Sequence, residues 1–166
     1  VTPDTYMRVA IVPALTCCLP APMDSPEARA MILAVSLQES QLEHRRQLPR
    51  RAGAGPGPAR GFPQFETVSL RLLLKNPATR EHLRHACASL TILPNVPAIH
   101  RAVEFQDVLG ACCARLLLWA LPHRLPLRSQ PEEGWQQYLA AWNPGCPRPV
   151  TWAEHYARAW QVIGVE

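Results

Sequence analysis

Glu39 is the residue whose placement most suggests chemistry. Ala28, Ile32, Val35, Glu39 and Leu42 follow i, i+4, i+7, i+11 and i+14, so a helix through them carries a carboxyl within an apolar stripe. A carboxyl there loses solvation, its charged form is disfavoured, and it can keep a proton near neutral pH and act as a general acid. The alternative on the same residues is a helix that ends just before Glu39 and leaves it as a surface cap. Glu43 lies one turn further on and is read chiefly as a surface residue. Six cysteines are present, but no Cys-x-x-Cys, no histidine pair at zinc spacing and no Ser-His-Asp or Cys-His arrangement, so a metal centre is not expected. The adjacent pairs Cys17-Cys18 and Cys112-Cys113 lie in apolar helical stretches and read as reduced, buried thiols.

The elements that must position Glu39 belong to a chain of 166 residues, read as one domain over 1–166. With 48% hydrophobic and 18% charged residues it can bury a core and is not a disordered chain. No apolar run approaches the roughly eighteen residues of a membrane span. The opening Val1-Thr2-Pro3-Asp4 does not read as a signal peptide, so a role outside the cytoplasm requires another route of delivery. The formal charge of +4 is weakly basic, with Lys75 the only lysine, and suits an anionic polymer without choosing between cell wall and nucleic acid. Arg45, Arg46, Arg50 and Arg51 form a basic cluster close to Glu39 in sequence.

Eighteen prolines punctuate apolar periodic segments, and the fold class is all-α with about seven helices and at most a minor hairpin. Asp4 is expected to cap a first helix reaching about Cys18, bent at Pro13. Ser25-Pro26-Glu27 starts a second helix running to about Glu39. Leu48 to Arg60 is an Arg/Gly/Pro-rich loop. Thr67 is expected to cap a helix over Val68–Lys75, and another runs from Ala78 to about Leu90. Pro94 and Pro97 then break the chain before the most apolar helix, Glu104–Ala120, read as central. Two more helices, Glu132–Trp142 and Trp152–Ile163, complete the set, the last opened by the capping-box pair Thr151 and Glu154. Trp119, Trp135, Trp152 and Trp160 read as core.

Three segments in order carry a resemblance: Leu37-Gln38-Glu39-Ser40, then Gly57-Pro58-Ala59-Arg60-Gly61-Phe62-Pro63-Gln64-Phe65-Glu66, and Ala141-Trp142-Asn143-Pro144-Gly145. Together they resemble the signatures of the lysozyme-like lytic transglycosylases. The run from Leu37 to Glu66 is similar to small lysozyme-like proteins encoded by tailed phages and prophages. The resemblance implies a lysozyme-like domain and cleavage of peptidoglycan between N-acetylmuramic acid and N-acetylglucosamine, with Glu39 as the single acid and then base. It implies that Ser40 lies near the acid or substrate, that Gly61 and Gln64 line the cleft floor, and that Trp142 stands where the family has a tyrosine contacting the acid. Asn143 would hold substrate or the cleft wall, no metal or organic cofactor would be needed, and Glu66 (read chiefly as a structural hydrogen-bonding partner) and Glu43 are the candidates for the second carboxyl that a true lysozyme uses to help the attacking water. The basic cluster is suited to the carboxylates of the glycan and its peptides, although a charge run in a loop is more often a solvated face. Pro63 in place of methionine and Trp142 in place of tyrosine depart from the family pattern.

The expectation is therefore a peptidoglycan-cleaving enzyme, made in the host cytoplasm and acting in the periplasm or cell wall, or within a virion among other phage proteins. The rival is a phage structural or assembly protein that keeps the scaffold with little or no activity. A small nucleic-acid-binding domain has only arginine-rich composition behind it, with no recognition motif, and is not expected.

Overall fold

The structure, a computed structural model, describes residues 1–49, 51 and 53–164. Among them it contains eight α-helices and no sheet. These are α1 (Pro3–Tyr6), α2 (Pro26–Ser40), α3 (Thr67–Lys75), α4 (Arg80–Ser89), α5 (Val96–Ala102), α6 (Asp107–Trp119), α7 (Pro131–Trp142) and α8 (Pro149–Ile163). The all-α class read from the sequence is the one the chain adopts. No helix among the described residues is long and apolar enough to cross a membrane.

Several boundaries differ from expectation for identifiable reasons. Thr2, not Asp4, caps the first helix, its Oγ1 accepting from the Thr5 amide at 3.2 Å. Only one turn of α-helix follows, then two widened π stretches, Met7–Ile11 and Ala14–Cys18, either side of Val12 and Pro13. A proline inside a helix has no N–H to give and crowds the carbonyl four residues back, and widening relieves both.

The helix α5 was not anticipated. Pro97 stands in its first turn, where a missing N–H costs nothing, and Asn95 caps it through Oδ1, which accepts from the Ala98 amide at 2.9 Å. The apolar helix α6 accordingly begins at Asp107 rather than Glu104. Thr67 is the first residue of α3 rather than its cap, which is Glu66. The capping box at Thr151 and Glu154 does not form, because α8 starts earlier and Thr151 Oγ1 donates to Gln38 Oε1 at 3.1 Å. The Ser25 cap does form, its Oγ accepting from the Ala28 amide at 3.1 Å.

Two helices, not one, make the centre. In α6 every residue from Leu109 to Leu118 is buried, and in α2 the same holds from Ala30 to Gln38. A helix apolar on all sides belongs inside a core, so the stripe through Ile32 and Val35 is one part of a fully covered surface, with α8 packed along α2. Trp135, Trp152 and Trp160 are core residues as expected, whereas Trp119 is 39% exposed and lies under the Arg115 guanidinium, 4.9 Å from its ring centre. All six cysteines are free thiols; Cys18, Cys87, Cys112 and Cys113 are buried, but Cys17 and Cys146 are exposed.

The loop after α2 is pinned at its base. Gln47 N–H donates to the Ala59 carbonyl and Gly61 N–H to the Arg45 carbonyl, at 3.0 and 2.8 Å. Isolated antiparallel bridges join Arg46 to Arg60 and Arg60 to Phe65, the only β character among the described residues. Ion pairs fasten the same segment to the entrance of α6. Arg45 pairs in bidentate fashion with Asp107, and buried Glu104 accepts from Arg46 Nε at 2.8 Å with Arg60 Nη1 at 3.6 Å.

Hydrogen bonding from Arg46 holds the Glu104 carboxyl below the ordinary carboxylate range. Its stabilising effect is therefore complete at neutral pH and lost as pH falls through the folded-state value. Glu104→Gln is expected to melt lower than the parent at pH 7, with the gap narrowing on acidification; circular-dichroism melts across pH check this, and a constant gap would contradict it.

Candidate active site

The end of α2 sets the acid in place. Gln41 and Leu42 both adopt left-handed backbone, with φ of 54° and 58°, and turn the chain off the helix directly after Ser40. Glu39 therefore sits in the last turn of α2, while Glu43 leaves its face and is exposed, with His44 at 3.7 Å. The preceding residue anchors this turn to α8. Gln38 Nε2 donates to the Arg148 carbonyl at 2.9 Å, and its Oε1 accepts from Thr151 Oγ1 and from His155 Nδ1. Arg148 returns a bond from Nη2 to the Gln38 carbonyl at 2.9 Å.

The hydroxyl that meets the acid comes from α7. Tyr138 Oη donates to Glu39 Oε1 at 2.6 Å. Its ring is buried, stacked on Trp152 with centroids 5.3 Å apart and flanked by Trp135 and Trp142 at 5.2 and 6.2 Å. The tyrosine contact that the resemblance assigned to the position of Trp142 is thus made one helical turn earlier. Trp142 instead donates its indole N–H to the Pro63 carbonyl at 2.8 Å and lies 6.1 Å from Phe65, bracing α7 against the turn at Gly61–Glu66. Sequence reasoning missed Tyr138, although Trp135, Tyr138 and Trp142 share one face of α7 by their spacing.

That turn needs its glycine. Gly61 has φ of 73°, and a Cβ there would come closer than 3.0 Å to the Val103 carbonyl oxygen. Gln64, at φ 55°, folds its amide back so that Nε2 donates to the Gly61 carbonyl at 2.7 Å and, at 3.4 Å, to that of His44. Its amide nitrogen thus braces the turn. Glu66 follows as the exposed residue before α3.

Two expected contributors have other roles. Ser40 is buried, its Oγ donating to the Ser36 carbonyl at 3.0 Å and accepting from the Leu42 amide, so it closes its own helix end. Asn143 is the left-handed cap that ends α7, exposed, with its side chain making no hydrogen bond among the described residues. The basic cluster is also differently employed: Arg45 and Arg46 are committed to Asp107 and Glu104, Arg51 is exposed, and Arg50 lies outside the described residues.

Burial raises the proton affinity of Glu39 above the ordinary glutamate range, and the nearby charge of Glu66 adds to the effect. The Tyr138 hydrogen bond and the Arg148 charge oppose it without overcoming it. Burial and the neighbouring Glu39 push the Tyr138 hydroxyl far up, so it remains a donor. Oε2 of Glu39 makes no hydrogen bond among the described residues, which leaves a place for a transferable proton. No group of three or more His, Cys, Asp or Glu side chains among those residues could hold a metal ion.

The signs give a direct test. Tyr138→Phe removes a bond that favours the carboxylate, so Glu39 should titrate at higher pH, whereas Glu66→Gln removes a like charge and should lower it. Carboxyl-carbon NMR titration of Glu39 in the two variants reads both shifts, and displacements of the same sign would contradict the assignment.

No family model, curated protein or solved structure matches this chain.

Proposed function

We propose that the chain is a peptidoglycan-cleaving glycosidase of lysozyme-like type, with Glu39 as acid and then base on the bond between N-acetylmuramic acid and N-acetylglucosamine, carried by a tailed phage or prophage. The observation that supports this best is the partly buried Glu39 carboxyl, accepting from Tyr138 at 2.6 Å, with its proton affinity raised by burial. Glu39 gives its proton to the glycosidic oxygen as the C1–O bond breaks. The N-acetyl oxygen of the substrate bonds to C1 as the leaving group departs, so no protein nucleophile is needed. The carboxylate left behind is steadied by Tyr138 and takes the proton of the hydroxyl that attacks C1 as the N-acetyl oxygen leaves. If that is the sugar's own C6 hydroxyl, the product is an anhydro-muramoyl end; if it is water, a reducing end forms. Where water attacks, Glu66, whose charge acts on Glu39, is the candidate carboxylate to assist it.

A binding module that keeps this scaffold without cleaving is favoured by one observation. Two concavities, of about 450 and 650 Å³, lie beside α3 and α5 and beside the start of α7, and Glu39 lines neither. Digestion of purified peptidoglycan by the wild-type chain, with mass analysis of the released fragments, separates the readings. Anhydro-muramoyl or reducing ends are expected; folded protein that binds the sacculi and releases nothing would favour the binding module.

A further inference from the structure

The concavity of about 450 Å³ is lined by three arginines, Arg60, Arg71 of α3 and Arg101 of α5, together with His100, Thr67 and Val96. The negative charges near it are unequally shared. Glu104 is ion-paired with Arg46 and Arg60 and also feels His100. Arg71 and Arg101 are exposed and pair with no carboxylate among the described residues. His100 Nε2 lies 2.9 Å from the Pro58 carbonyl, so that nitrogen carries a hydrogen and is already used. Two free guanidinium groups from neighbouring helices therefore face one concavity.

Its position links it to the acid. Arg60 and Thr67 stand just outside the two ends of the Gly61–Glu66 turn, whose last residue, Glu66, acts electrostatically on Glu39. The arginines nearer in sequence, Arg45 and Arg46, are committed to ion pairs and cannot serve an anion without breaking them. We infer that the concavity seats a carboxylate borne on a peptide branch of the polymer cleaved at Glu39, with Arg71 and Arg101 as its principal ligands. This rests on the glycosidase reading. A guanidinium holds a carboxylate through two parallel N–H···O bonds, and the Thr67 hydroxyl offers a further donor. The consequence is selectivity for glycan that carries acidic peptides over bare glycan.

The test uses the full chain and the Arg71→Gln/Arg101→Gln double variant, both sites being exposed and outside the Glu39 machinery. Backbone-amide NMR is followed during titration with the dipeptide Ala-Glu and, separately, with inorganic phosphate. Saturable shifts at Thr67, Arg71 and the end of α5 are expected with the dipeptide, with affinity falling about fivefold or more in the double variant. On peptidoglycan the same variant should show a raised KM, with kcat and cleavage of peptide-free glycan unchanged.

Absence of those shifts, shifts of equal affinity in the double variant, or a response to phosphate but not to the dipeptide would overturn the inference. Binding does not depend on turnover, so the two claims fail separately. Lost dipeptide binding with peptidoglycan still cleaved removes only this inference. Dipeptide binding by a wild-type chain that cleaves no glycan overturns the glycosidase reading, and with it the assignment of the anion to a substrate branch.

Discussion

Glu39→Gln is expected to slow the release of muropeptides by a factor of about 10²–10⁴, the range that a positioned proton donor contributes, while leaving the fold intact. Glutamine keeps an oxygen that accepts the 2.6 Å bond from Tyr138, so the aromatic packing of Trp135, Trp142 and Trp152 around that ring has no reason to move. Stability should follow the opposite sign from activity. A carboxyl whose proton affinity is raised by burial stabilises the fold in its neutral form, and that contribution is lost as pH rises through the folded-state value. The variant has no such loss, so at neutral pH it should melt at or above the wild-type temperature, with the advantage fading in acid. Parallel melts and release assays check both halves. Unchanged release by a folded Glu39→Gln chain would remove Glu39 from the chemistry.

Gly61→Ala should be the most damaging small substitution near the site. Left-handed backbone costs a residue with a Cβ roughly 1–2 kcal/mol, and the new methyl would come closer than 3.0 Å to the Val103 carbonyl, a rigid backbone atom. Relieving that overlap adds about 1–3 kcal/mol. The combined loss of about 2–5 kcal/mol corresponds to a fall in Tm of roughly 4–20 °C for a domain of this size. The displaced turn also carries Glu66 and the Pro63 carbonyl that receives Trp142, so activity should decline beyond what unfolding explains. A variant with wild-type Tm would mean that the turn has room the geometry denies it.

The part-buried position of Glu39 on α2 was legible in the sequence, because its helical spacing sets it among Ala28, Ile32 and Val35. Its partner was less so. Tyr138 lies 99 residues away, and the contact depends on α7 docking beside α2, which local spacing does not report. The helix α5 was hidden by Pro97, since a proline in a first turn and a proline that breaks a chain look alike until Asn95 is seen to cap. The sharp exit from α2 was illegible for another reason. Gln41 and Leu42 take left-handed backbone without being glycine, a strain held by surrounding structure such as the burial of Leu42. Arg45 and Arg46 read as a free basic cluster because their carboxylate partners, Asp107 and Glu104, stand about sixty residues further along the chain.

The most direct test of Glu39 as the proton donor is the pH dependence of muropeptide release, measured for the wild-type chain and for Tyr138→Phe. A general acid works only while protonated, so release should fall on the alkaline side, at a midpoint above the ordinary glutamate range. Removing the Tyr138 bond should move that midpoint to higher pH. An alkaline limb that stays in place when Tyr138 is changed, or release that continues undiminished after Glu39 has ionised, would contradict the account.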